Sequence, residues 1–224
     1  MAQRRRQVLG ALAAWPLTLR AAPDARPTGP APVDVSRLPA PGSYRLARLG
    51  RAPDGTVLDQ RGQPQRLHAL LAGRASVVSF MYTYCRDPLG CPRAWAAMDA
   101  LHAALVADPK LAAGAQLVSL SFDPANDTPA QMALFAGERA ADARVRWRFL
   151  TTPSVRALLP LLAGFGQDVS VEHDASGQPV RTLNHLLKVF LVDARLQLRE
   201  IYSVATLAPE AVLVDLRTLA LERR

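Results

Sequence analysis

The sequence predicts an α/β layer fold. Three observations lead there. Residues 76–83 and 116–122 are short, almost wholly apolar runs of strand length. Segments with helical spacing of apolar residues alternate with them. A late pair of apolar runs, 186–192 and 196–202, is separated only by a turn at Asp193-Ala194-Arg195. Strands that alternate with helices lie parallel, and strands joined by a tight turn pair antiparallel. The expected centre is therefore a mixed sheet, mostly parallel with an antiparallel edge, flanked by helices.

The elements follow in order. Residues 43–59 read as an N-terminal hairpin, with a turn at Pro53-Asp54-Gly55 before Thr56-Val57-Leu58. Residues 76–83 form a buried strand. Residues 92–108 form a helix in which Trp95, Met98, Leu101, Leu105 and Val106 recur at helical spacing, and Pro92 suits the first turn. A second buried strand covers 116–122. Thr128 is placed to cap a helix from Pro129 to about residue 139, with Gln131 completing a capping box. A strand at 146–151 and a helix at 154–164 come next. Residues 167–181 are polar with a turn at Gly177 and read as a loop or hairpin excursion. The two late strands follow, and a helix from Pro209 to about residue 222 closes the chain.

The 224 residues suffice for one domain and a terminal segment, and half of them are hydrophobic. The formal net charge is +8. Only Lys110 and Lys188 are lysines, and the arginines are scattered rather than clustered, so no nucleic-acid partner is expected. Residues 1–22 have the layout of an export signal: basic Arg4, Arg5 and Arg6, a short apolar stretch, then Ala21 and Ala22. Arg5-Arg6-Gln7-Val8-Leu9 is similar to a twin-arginine signal. Residues 23–41 are rich in Pro and Ala and read as a linker, leaving 42–224 as the domain. The signal implies a periplasmic location, either released or tethered by it, and no other segment is suited to crossing a membrane. No phosphate-binding loop, dinucleotide fingerprint or nucleophile elbow occurs.

The two cysteines carry the chemistry. Cys85 lies just past the first buried strand, and Cys91 directly precedes Pro92 and its helix. Open α/β sheets place their sites at the carboxyl ends of strands. A helix N-terminus favours thiolate over thiol. A structural disulfide, a redox pair and a pair of metal-binding thiolates all fit this placement.

Three stretches resemble the Sco/SenC family of thioredoxin-fold copper proteins. They are Tyr82-Thr83-Tyr84-Cys85 with Asp87 and Cys91-Pro92, then Ser121-Phe122-Asp123-Pro124 continuing to Asp127-Thr128-Pro129, then His185 ahead of the strand ending in Asp193. The resemblance spans roughly residues 43–222. It implies a thioredoxin-like fold, and a copper ion, Cu(I) or Cu(II), held by Cys85, Cys91 and His185. It implies delivery of that copper to a subunit of a respiratory copper enzyme, usually cytochrome c oxidase. Soft thiolates with one imidazole suit copper. Asp87 matches an acidic residue of the family's loop, with a role in transfer or docking. This chain has five residues between its cysteines where the family usually has three. The alternative is a thiol–disulfide oxidoreductase, using Cys85 and Cys91 but not His185, that keeps a copper-site partner's cysteines reduced and draws on a thiol reductant protein. A peroxidase-like relative is a third reading.

The remaining histidines read as structural. His102 follows Met98 by four and borders the core, and His68 precedes the first buried strand. Glu172-His173-Asp174 reads as a solvated loop rather than a surface metal site. Asp123 reads as an Asp-Pro turn residue at the end of its strand.

Overall fold

A computed structural model describes residues 33–85 and 90–222. The expected export signal and Asp87 lie outside these residues. The elements are β1 (Gly50–Arg51), β2 (Thr56–Leu58), β3 (Pro64–Arg66), α1 (Leu67–Leu71), β4 (Ala75–Met81), α2 (Cys91–Ala107), α3 (Pro109–Gly114) and β5 (Ala115–Ser121). Then come α4 (Pro129–Ala136), α5 (Glu138–Ala141), β6 (Trp147–Leu150), α6 (Val155–Phe165), β7 (Val169–His173), β8 (Pro179–His185), β9 (Lys188–Val192), β10 (Gln197–Ser203) and α7 (Pro209–Glu222).

One six-stranded sheet organises the molecule, in the order β1-β10-β9-β4-β5-β6. The pairs β4–β5 and β5–β6 are parallel, and β4–β9, β9–β10 and β10–β1 are antiparallel. The sheet is mixed as expected, but its antiparallel part is wider than a late edge, because β9 sits beside β4 at the centre. Every residue of β4 and β5 is buried, which explains why these strands read as continuous apolar runs rather than alternating ones.

Aromatic clusters join the helices to the sheet. Phe80 of β4 meets Phe165 of α6 edge-on at 5.4 Å and Phe190 of β9 at 5.9 Å. On the opposite face Trp147 stacks on Phe149 at 5.0 Å, and Phe135 of α4 packs against Trp95 and Phe149. Each such ring, fully buried, contributes about 1.5–3 kcal/mol.

An N-terminal hairpin is present but displaced. The paired strands are β2 and β3, with Thr56 opposite Arg66, while β1 pairs with β10 instead. The Pro53-Asp54-Gly55 segment is no hairpin turn. The Asp54 carboxylate accepts from the backbone N–H groups of Gly55 and His68 and from the Arg66 guanidinium, which draws the segment onto the start of α1. The reversal is made after β2, where Asp59 accepts from Arg61 N and Gln63 N. The helix expected to run to about residue 139 stops at Ala136, because Gly137 takes φ +51. The polar stretch after α6 forms a hairpin, β7–β8, with Gly177 at φ +79 in its turn.

The segment preceding β1 straps onto the end of the fold. Tyr44 and Tyr202 both donate to the buried carboxylate of Asp215 in α7. Arg199, 5% exposed, pairs with Asp193 and Glu222 and donates to the carbonyls of Leu46 and Ala47. No described helix is long and apolar enough to cross a membrane.

Candidate metal centre

The carboxyl end of β4 delivers the first cysteine. After Met81 the chain turns, with Cys85 N–H bonded to Tyr82 O at 3.3 Å. The turn is pinned from below by Asp127, which is 1% exposed. Its carboxylate accepts from Thr83 N at 3.1 Å, Thr83 Oγ1 at 2.5 Å and Ser121 Oγ at 2.6 Å. Asp127 thus locks the start of the cysteine loop to the end of β5. Burial raises its carboxyl pKa, against the lowering by its hydrogen bonds to Ser121 and Thr83.

Cys91 is the first residue of α2, with Gly90 as the N-cap and Pro92 in the first turn. Starting the helix on the cysteine directs its side chain inward, and both cysteines are buried, Cys85 at 7% and Cys91 at 1% exposure. Both are thiols and not a disulfide. A hydrogen bond with Cys85, then burial, pushes the Cys91 thiol well up. The neighbouring sulfur and desolvation thus act against the thiolate-favouring helix end.

His185 ends β8, the second strand of the hairpin, and does not merely precede the next strand. Its ring packs against Phe122 at 4.6 Å and Tyr82 at 5.9 Å. Its Nδ1 lies 2.9 Å from Leu183 O. A carbonyl only accepts, so Nδ1 carries the hydrogen and, in the neutral ring, Nε2 presents its lone pair. That Nε2 is 3.7 Å from Cys91 Sγ. The ligand atoms of Cys85, Cys91 and His185 all lie within 4.8 Å of one another. Among the described residues, no other three of His, Cys, Asp and Glu gather in this way. The wider spacing of the cysteines does not keep their sulfurs apart.

The structure separates the other candidates from this centre. His68 Nε2 lies 2.7 Å from Ala52 O, and His102 sits between Trp147 and Asp142. Asp174 closes its own turn by accepting from Ser176 N and Gln178 N. Asp123 binds Asn126 Nδ2, as a turn residue does.

Two further residues support the centre, one inside the matching cysteine-loop stretch and one outside every matching stretch. Tyr82 bonds to Cys85 and packs on His185; burial, with that bond, pushes its phenol up to about 12. Gln167, 3% exposed, donates from Nε2 to Leu186 O at 3.0 Å, which holds the backbone next to His185 against the end of α6. No sequence signal marks Gln167. Its position is fixed by Gly166, whose left-handed conformation ends α6 and turns the next side chain inward.

Known structures share this architecture. Apo Sco1 from Thermus thermophilus is 24% identical, with a TM-score of 0.61 over 82% of this chain and 99% of its own. A SCO1/SenC family lipoprotein from Bacillus anthracis is 25% identical, with a TM-score of 0.59 and coverage of 82% and 99%. ScoI from Bradyrhizobium japonicum, with copper bound, is 18% identical, with a TM-score of 0.57 and coverage of 78% and 99%. No curated protein matches the chain by sequence. The SCO1/SenC family model matches residues 53–221, from just before β2 to the last turn of α7 and through all three parts of the centre, and the chain belongs to that family.

Proposed function

We propose that the chain is an exported copper-binding assembly factor for a respiratory copper enzyme such as cytochrome c oxidase. In this reading residues 1–22 direct export and 23–41 link the signal to the domain. One observation carries it: two buried sulfurs and an imidazole nitrogen with an inward lone pair converge within 4.8 Å. The donor set fits a soft ion, since thiolates and one imidazole prefer copper to hard cations. Cys85 and Cys91 supply the thiolates, and His185 supplies Nε2. Copper bound there is cargo to be handed to the client. The copper-bound Bradyrhizobium japonicum relative supports the metal, and the description of Sco proteins as cytochrome c oxidase assembly proteins supports the role. The Bacillus anthracis lipoprotein supports a place outside the cytoplasm. Exposed Tyr84 and Leu186 flank the ligands and offer the client an apolar rim.

The test is competitive copper titration of the reduced protein. One ion per chain is expected, with binding lost in Cys85→Ser and Cys91→Ser and strongly weakened in His185→Ala. Variants that load copper as tightly as the parent refute the proposal. The adjacency of the two thiols also favours a second reading, thiol–disulfide exchange, in which Cys85 and Cys91 are oxidised to a disulfide while a partner's disulfide is reduced to two thiols. Exchange that survives His185→Ala while copper delivery is absent selects that reading.

A further inference from the structure

The strands give the sheet two poles, and the metal centre occupies one. At the other pole β4, β5, β6 and β10 begin and β9 ends. Arg74 directly precedes β4, Arg146 precedes β6, and Arg195 sits in the β9–β10 turn. Arg148, the second residue of β6, has a buried Nε without a hydrogen-bond partner; beyond its desolvation, Arg146 and Arg74 lie near enough to repel its charge and Asp59 near enough to attract it. Arg45, Arg48 and Arg195 rim an open cleft of about 920 Å³. The carboxylates in that cleft, Asp193 and Glu222, share the one buried guanidinium of Arg199, so the lining keeps an excess of positive charge, four arginines against two acids. The metal-centre pole is mixed by contrast: Asp123 follows β5, Arg93 lies in the first turn of α2, and Lys188 begins β9.

The strap enters at the basic pole. Gly42 lines the same cleft and is fixed to α7 through Thr218 Oγ1. The N-terminal end of the domain therefore lies beside the arginines. We propose that this pole is an electrostatic docking face for anionic lipid headgroups, so that the domain rests on the membrane with its cysteine centre turned away from it. Guanidinium groups suit phosphate by geometry as well as charge. A juxtamembrane basic residue strengthens binding to an anionic surface by about five-fold.

The experiment is co-sedimentation of the metal-free full chain with vesicles of equal parts phosphatidylglycerol and phosphatidylcholine, against phosphatidylcholine alone. Because no copper is present, failure leaves the copper reading untouched. Binding is expected only with the anionic lipid and declines as salt rises. Arg45→Glu, Arg48→Glu and Arg195→Glu each weaken it by about five-fold or more. The Arg→Gln versions give smaller losses. Arg156→Glu, beyond the carboxyl end of β6, changes it by less than about two-fold. Equal binding to phosphatidylcholine, or reversals no worse than Arg156→Glu, overturns the proposal. So does displacement from the vesicles by duplex DNA at matched phosphate concentration, which marks a nucleic-acid surface instead.

Discussion

Replacing Asp127 with Ala and with Asn should have opposite consequences. The carboxylate accepts three hydrogen bonds at the base of the cysteine loop, from one amide and two hydroxyls. Alanine leaves the Thr83 amide unsatisfied and removes the shared partner of the Thr83 and Ser121 hydroxyls. A buried donor left unpaired costs about 1–3 kcal/mol and each of the two lost hydroxyl hydrogen bonds about 1 kcal/mol, so Asp127→Ala should lose about 3–5 kcal/mol. At about 2–4 °C per kcal/mol for a domain of this size, the melting temperature falls by about 6–20 °C. Asparagine keeps an acceptor oxygen, and the two hydroxyls can accept from its amide. It also removes a charge whose burial is unfavourable, as the raised carboxyl pKa shows. Asp127→Asn should therefore unfold within about 1 kcal/mol of the parent at neutral pH. The pH dependence carries a sign. A carboxyl raised in the folded state stabilises fully below its unfolded pKa, and that contribution is lost as pH rises through the folded pKa. The parent should accordingly gain on Asp127→Asn as the pH falls into the carboxylate range. Thermal unfolding followed by circular dichroism at neutral and acidic pH measures all of this. An Asn variant as damaged as the Ala variant, or an Ala variant as stable as the parent, refutes the reasoning.

Other outcomes follow from the same geometry. Gln167→Ala frees the backbone beside His185 and should weaken copper binding by about tenfold while Cys85 and Cys91 remain equally reactive to a thiol reagent. The raised Cys91 thiol means that copper must displace protons, so titrations in buffers of different ionisation enthalpy should show proton release and affinity that rises with pH. Tyr44, held above its ordinary 10.0 at about 12 by burial and Asp215, contributes stability that is complete below pH 10.0 and lost as pH rises toward 12. Alkaline unfolding monitored by tyrosinate absorbance checks it, and Tyr44→Phe should blunt the loss.

Most of the fold was legible because its signals are local. β4 and β5 are buried on both faces, and only an unbroken apolar run satisfies such a position. Thr128 caps α4 as its sequence predicts, accepting from Gln131 N. The N-terminal hairpin was misplaced because the fate of Pro53-Asp54-Gly55 is decided by His68 and Arg66, which are distant in sequence. The antiparallel placement of β9 beside β4 is likewise a tertiary choice. In the centre, the cysteines were visible from the strand–loop–helix pattern, whereas His185 depended on family resemblance, since nothing local distinguishes it from a core-edge histidine. The orientation of its ring follows from Leu183 O, a backbone atom that no side-chain pattern reveals. The upward push on the Cys91 thiol is hidden for the same reason, as it depends on the Cys85 sulfur across the loop.

X-ray absorption at the copper edge, on the reduced protein loaded with one Cu(I) per chain, tests the central claim most directly. Two sulfur donors and one nitrogen are predicted, with the imidazole signal lost in His185→Ala, which binds more weakly but still loads. A spectrum with sulfur donors alone, unchanged by His185→Ala, would contradict it.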